Sequence, residues 1–188
     1  MKELHILMYL GLVCLTAFVI SCASRTANIP LETIPRDNAA AIIEMKTGGR
    51  MVIEFYPQDA PNTVDNFIKL AQKGFYNGIT FHRVEKGLLI QGGDPSGDGT
   101  GGSGIPIKAE FNSQKHVEGT VAMARKPNDV DSATSQFYIC LKPLPSLDGQ
   151  YTVFGKVVEG MDAAKSVQKG DVMKKVTIID KSSLNISE

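Results

Sequence analysis

From residue 41 onward, apolar positions gather in short β-branched runs broken by glycine and polar turns. Ala41-Ile42-Ile43-Glu44-Met45 and Met51-Val52-Ile53-Glu54-Phe55 flank Thr47-Gly48-Gly49-Arg50, a pattern that predicts a hairpin. Between Pro61 and Gly74 the period changes. Val64, Phe67, Ile68 and Ala71 fall at i, i+3, i+4 and i+7, one face of a helix. Pro61 suits its first turn and Gly74 its stop. Strand-like runs then follow at Ile79–Val84, Leu88–Gln91, Ile105–Lys108, Gly119–Ala124, Gln136–Leu141, Thr152–Val157 and Val176–Ile179, with a shorter helix predicted from Met161 to Gln168. About eight strands with two helices point to a mainly β fold, a closed eight-stranded antiparallel β-barrel capped by the two helices. The last strand is expected to pair near the first, because a barrel removes its edges by closure.

The N-terminus departs from this pattern. Ile6 to Ile20 is a 15-residue run without a charge, preceded by Lys2 and Glu3 and followed by small residues. It is short for a membrane span and fits the apolar region of a signal peptide. It ends in Val19-Ile20-Ser21-Cys22, which resembles the bacterial lipobox. The expectation is lipidation of Cys22 after cleavage, with an ordinary secretory signal and a signal anchor as alternatives. Ala23 stands where an inner-membrane retention signal would usually be Asp, which favours the outer membrane. The localisation expected is the cell envelope, lipid-anchored to a bacterial membrane on the periplasmic or outer-membrane side. The domain division is then a lipoprotein signal peptide at 1–21, a tether at 22–38, a folded domain at 39–182 and a tail at 183–188. As a flexible coil the tether would span about 20–25 Å.

Composition narrows the class of function. Apolar residues make up 43% and charged residues 21%, with Lys+Arg and Asp+Glu both at 20, a globular balance without net charge. No basic run accompanies the aromatics, so nucleic acid is not an implied partner. Of three cysteines only Cys140 lies in the folded part, so no intrachain disulfide or CxxC clamp is available there. Cys140 reads as a buried small hydrophobe.

The densest chemistry lies in FHRVEKGLLIQGGDPSGDGTGGSG, Phe81 to Gly104, with eight glycines. A phosphate loop would need Gly-Lys-Ser/Thr opening a helix, whereas Gly101-Gly102-Ser103-Gly104 leads into the strand-like Ile105-Pro106-Ile107. A calcium loop from Asp94 would need Glu at its twelfth position, which is Ile105. A zinc site fails because His82 and His116 have no cysteine cluster beside them; both read as structural or surface histidines. No GxSxG elbow seats a nucleophile.

What remains is an arginine in an apolar frame, a glutamine eight residues on, and turn-permitting glycines. Phe81-His82-Arg83-Val84, Leu89-Ile90-Gln91-Gly92-Gly93-Asp94, Gly99-Thr100-Gly101-Gly102, Ala122-Met123-Ala124, Ser135-Gln136-Phe137-Tyr138-Ile139, Leu147-Asp148-Gly149 and Val153-Phe154-Gly155-Lys156-Val157 together resemble the cyclophilin family of peptidyl-prolyl cis/trans isomerases. They stand in family order and spacing from about Ala39 to Asp180. The resemblance implies an eight-stranded barrel with two helices, X–Pro isomerisation without a cofactor, proline-containing polypeptides as substrates, and a monomer. It implies Arg83 as the catalytic donor and Gln91 as its catalytic partner. It also implies a substrate groove from Leu88, Leu89, Ala124, Arg125, Gln136, Tyr138, Leu147 and Tyr151.

Several of these depart from the family's pattern. Leu88 replaces Phe, Leu89 replaces Met, Tyr138 stands where Phe is common, Tyr151 replaces His, and Arg125 stands where Asn is frequent. Ser146 sits where cyclosporin-sensitive members have Trp. Slower isomerisation and weak cyclosporin affinity are the expectations. With the envelope signal, the function expected is help in folding exported proteins; the alternative is a catalytically weak module that binds proline-containing peptides or an envelope partner.

Overall fold

The structure is a computed structural model describing residues 34–184; the expected signal peptide, Cys22 and most of the tether lie outside these residues. Eight strands and two helices follow in chain order: β1 (Ala39–Met45), β2 (Arg50–Phe55), α1 (Pro61–Gln72), β3 (Arg83–Glu85), β4 (Leu89–Gly92), β5 (Thr120–Met123), β6 (Phe137–Cys140), β7 (Val153–Glu159), α2 (Met161–Ser166) and β8 (Met173–Asp180). The β1–β2 turn carries Gly48 at φ 98° and Gly49 at φ 80°, two successive positive angles that glycine adopts without strain. Strand pairing is antiparallel throughout, in the order β3-β4-β6-β5-β7-β2-β1-β8.

The expected pairing of the last strand with the first is present, since β8 runs beside β1 from Ala39↔Asp180 to Met45↔Met173. The expected closure is absent. The sheet is a curled half-barrel with β3 and β8 at its two edges. Strand β3 is only three residues long, and the chain before it meets the approach to β8 through a single bridge, Thr80↔Val172. Four backbone bonds splice the gap: Gly78 N to Met173 O (2.8 Å), Met173 N to Ile79 O (2.9 Å), Phe81 N to Asp171 O (2.8 Å) and Gly170 N to Phe81 O (2.9 Å). The edges are therefore covered without a ladder.

Ile105–Lys108 is likewise no strand. It forms one bridge, Ile107↔Ala133, and Pro106 beside it has no N–H to offer a ladder. The second helix ends at Ser166, two residues short of the expected Gln168.

The pleat divides the sheet into two apolar layers. On the concave side, Phe67 of α1 is the hub of an aromatic core. Its ring lies 4.7 Å from Tyr76, 5.5 Å from Phe137 and Phe154, and 5.6 Å from Phe55. Thr63, Val64, Ile68 and Ala71 of the same helix are buried with it. A smaller cluster on the other face joins Leu89, Ala122, Tyr138, Cys140 and Val153.

Ala60 precedes α1 without a side-chain cap, and a remote residue supplies one. The Glu110 carboxylate accepts from Thr63 N (2.8 Å), Thr63 Oγ1 (2.7 Å), Asn62 N (3.0 Å) and Asn62 Nδ2 (2.9 Å). This satisfies orphan donors at the positive end of the helix and ties the long β4–β5 connection to α1. Glu110→Ala is expected to cost about 1–2 kcal/mol, read as a fall of a few degrees in thermal midpoint, with Glu110→Gln in between.

Candidate functional site

The face opposite the aromatic core brings the expected site residues together. Register places Arg83 of β3 across from Gln91 of β4, and Gln91 across from Tyr138 of β6. Cross-strand partners project to one side of a sheet, so a guanidinium, an amide and a phenol form one row. Leu89 is two residues before Gln91 and joins the same face. Tyr138 and Leu89 are buried, and Ala124, Leu147 and Tyr151 pack against them. Leu147 arrives on the short 3-10 turn Pro145–Leu147. Leu88 sits half-buried at the β3–β4 turn, outside this cluster.

A chain of side-chain hydrogen bonds runs along the row. Arg83 Nη1 donates to Gln91 Oε1 at 3.0 Å. Gln91 Nε2 donates to Gln136 Oε1 at 2.9 Å. Gln136 Nε2 donates to Gly99 O (2.9 Å) and Gly101 O (2.8 Å). On its other side Arg83 donates Nε to Glu85 Oε1 at 3.0 Å, and Nη2 to the same oxygen. The guanidinium is thus held from two sides and remains half-exposed, 51% by side chain. Glu85 escaped the sequence reading. Its signal was the strand period, since two residues past Arg83 returns to the same face.

The glycine loop is built around the buried Asp94. Its Oδ1 accepts from Ser96 N (2.8 Å), and its Oδ2 from Asp98 N (3.2 Å) and Gly99 N (2.6 Å). Burial alone would raise this carboxyl, but the backbone N–H bonds outweigh it and hold the group below its usual value. The loop passes so close that a Cβ on Gly101 would meet Asp94 Oδ1 at 2.2 Å, and one on Gly102 would meet Thr134 Oγ1 at 2.1 Å. That proximity accounts for these two glycines.

Arg125 lies with its guanidinium carbon 4.8 Å from the Tyr151 ring centre, within cation–π range. Bonds to Gln150 O (3.2 Å), Lys126 O and Pro127 O (both 3.0 Å) fix it there. Ala124 N donates to Gln136 O at 2.9 Å, which ties the chain after β5 to the residue before β6. A cleft of about 700 Å³ lies beside the apolar patch, bounded by Gln91, Gly101, Ala124, Arg125 and Gln136.

His82 is buried against this loop, and its Nδ1 has no hydrogen-bond partner. Burial lowers its pKa, keeping the ring neutral. His116, on the other side of the patch, is also buried and is fully hydrogen-bonded. Cys140 is buried in the cluster, where desolvation pushes its thiol up to about 12, so it carries no thiolate at neutral pH. Among the described residues, no three His, Cys, Asp or Glu side chains converge.

Comparison with known proteins follows the same residues. A family profile described as cyclophilin type peptidyl-prolyl cis-trans isomerase/CLD matches residues 42–184. Peptidyl-prolyl cis-trans isomerase B of Bacillus subtilis is 46% identical over 134 residues, 71% of this chain and 94% of its own length. A peptidyl-prolyl cis-trans isomerase of Helicobacter pylori is 42% identical over 156 residues, 81% of this chain and 93% of its own. A crystal structure of a Cryptosporidium parvum cyclophilin-type isomerase, determined in the presence of the dipeptide Ala-Pro, matches with a TM-score of 0.69. It is 28% identical and covers 75% of this chain and 99% of its own.

Because Asp94 has a depressed folded pKa, its contribution is present above the unfolded value of about 3.9 and is lost as pH falls through the folded pKa. Asp94→Asn is therefore expected to unfold a few degrees below wild type at pH 7. In thermal scans that difference should shrink steadily as pH drops below about 4.

Proposed function

We propose a catalytic arrangement for this chain, which belongs to the cyclophilin-type peptidyl-prolyl cis-trans isomerase family and is an isomerase of X–Pro peptide bonds. Arg83 stabilises the twisted amide, Gln91 aims Arg83, and Leu89, Tyr138, Leu147 and Tyr151 seat the prolyl ring. The observation that carries this reading is the 3.0 Å bond from Arg83 to Gln91, in register with the Tyr138 wall.

Rotation about an X–Pro bond breaks amide resonance, a barrier of about 20 kcal/mol. At the top of that barrier the prolyl nitrogen regains a lone pair that neither planar ground state offers. A donor aimed at this nitrogen binds the twisted state better than either ground state, which is the condition for catalysis. The guanidinium suits the role because it is always charged and its donors keep a rigid fork. Gln91 and Glu85 hold its plane, and the half-exposed edge remains for the substrate. No bond to a heavy atom is made or broken, so neither nucleophile nor redox group has a part.

The apolar patch supplies the other half of the selectivity. A prolyl ring placed on Tyr138 with Leu147 and Tyr151 at its sides leaves water and fixes the nitrogen relative to Arg83. Leu88 belongs to the rim and Leu89 to the floor. The backbone at Ala124 and Arg125, with Gln136, would grip the residues before the proline.

The natural substrates on this reading are exported polypeptides, with the domain held at a membrane through lipid on Cys22. The lipobox-like Val19-Ile20-Ser21-Cys22 behind an uncharged run supports this. Metabolic labelling with palmitate should mark the full chain, and Cys22→Ser should abolish the label.

Arg83→Ala is expected to lower kcat/KM about 100- to 1,000-fold, the scale of losing one preorganised transition-state donor. A protease-coupled or exchange measurement on a proline tetrapeptide would read it. Equal rates in wild type and variant would remove Arg83 from the mechanism.

A further inference from the structure

Beneath the apolar patch lies a buried polar relay. Tyr138, the wall residue, turns its hydroxyl away from the groove to His116 Nε2 at 2.9 Å. His116 Nδ1 lies 3.0 Å from Asp148 Oδ1, and His116 N donates to the same oxygen at 2.8 Å. The direction of the relay follows from charge. His116's backbone and ring hydrogen bonds hold the Asp148 carboxyl below its usual value, so it is an ionised acceptor. Nδ1 therefore carries the ring proton, Nε2 is left as an acceptor, and the Tyr138 hydroxyl donates to it. Burial keeps the phenol protonated and able to donate.

His116 also joins the two walls of the pocket. Its carbonyl accepts from Leu144 N at 2.8 Å, and Asp148 follows Leu147 directly, so both ends of the turn carrying Leu147 are pinned to one residue. Every polar atom of His116 is engaged. Its ring lies 6.0 Å from Tyr138 at 14° and 6.5 Å from Tyr151 at 79°, and Tyr151 meets Tyr138 edge-on at 5.8 Å. The His116 side chain is 0% exposed.

We infer that His116, oriented by Asp148, is a positioning residue that sets the tilt of Tyr138 against Leu147, and with it the affinity for the prolyl ring. Without an acceptor at His116 Nε2 the Tyr138 hydroxyl would be left unpaired in an apolar cluster, a costly state that a shift of the ring relieves. Lys115, with Nζ 3.4 Å from Asp148 Oδ2, holds the far end of the relay.

The inference rests on Tyr138 and Leu147 being walls of the prolyl pocket, and three substitutions separate the layers. Leu147→Ala tests the pocket, since KM should rise severalfold. Tyr138→Phe removes only the relay's hydroxyl and keeps the ring, and His116→Phe removes the acceptor that the hydroxyl needs. In exchange measurements on a proline tetrapeptide, His116→Phe should raise KM about fivefold, the scale of one hydrogen bond, while kcat changes much less. With Tyr138→Phe already present no hydroxyl is left unpaired, and the same His116 substitution should change KM little. An unchanged KM in His116→Phe, an equal rise with and without Tyr138→Phe, or a difference confined to kcat would overturn the relay. An unchanged KM in Leu147→Ala would instead overturn the pocket assignment.

Discussion

An isomerase that forms no covalent bond depends on where one donor points, and on the mechanism proposed for this chain that donor is Arg83, whose orientation is set by side-chain hydrogen bonds between strands. Arg83 is held by Gln91, Gln91 by Gln136, and Gln136 by two carbonyls of the glycine loop. The loop in turn folds over the Asp94 carboxylate. Each link is a single bond worth about 1 kcal/mol net, yet together they remove the rotamer freedom of two glutamines and an arginine before a substrate arrives. Preorganisation of this kind is what makes a donor effective in the transition state. The glycines contribute by letting a backbone carbonyl come as near to Gln136 as a side chain would.

The sheet supplies the frame for that row. Ile90, Ile139 and Val121 point into the aromatic core, so the residues between them, Leu89, Gln91, Tyr138, Cys140 and Ala122, must face the other way. Packing on the concave side therefore fixes the register on the groove side, and a one-residue slip in β4 would bury Gln91 and expose Ile90. The open sheet is compatible with this because its central strands, β4, β6 and β5, are paired on both flanks. The missing β3–β8 ladder affects only the margin.

The legible part of the molecule is what period and local motif encode. The β1–β2 hairpin, α1 and most strands follow from spacing, and Arg83, Gln91, Gln136 and Tyr138 follow from motifs whose register the structure brings together. Closure was not legible, because a barrel and a curled half-barrel have the same alternation and differ only in whether two edges meet. Ile105–Lys108 looked like a strand by composition, and Pro106 was the contrary sign. Glu85 was legible by the period of two and passed over. His116 and Asp148 are separated by 32 positions and carry no local pattern, so only the fold reveals that they act together. Glu110, 47 residues from its Thr63 partner, escaped for the same reason.

The departures from the family's usual residues form one coherent change. With leucine at 88, where the family's pattern has Phe, the pocket rim has lost aromatic area, and the rings are gathered in the patch itself. Tyr138, Tyr151 and His116 stand mutually edge-on or near-parallel, and Arg125 closes the stack above Tyr151. A phenylalanine at 138 would pack equally well but would leave His116 Nε2 without its donor, and that nitrogen is buried. The hydroxyl therefore belongs with the histidine and not with the groove. The polar face of the site, from Asp94 to Arg83, orients the donor; the apolar face, pinned through His116, orients the ring. On the proposed mechanism catalysis needs both, because the reacting nitrogen would lie between them.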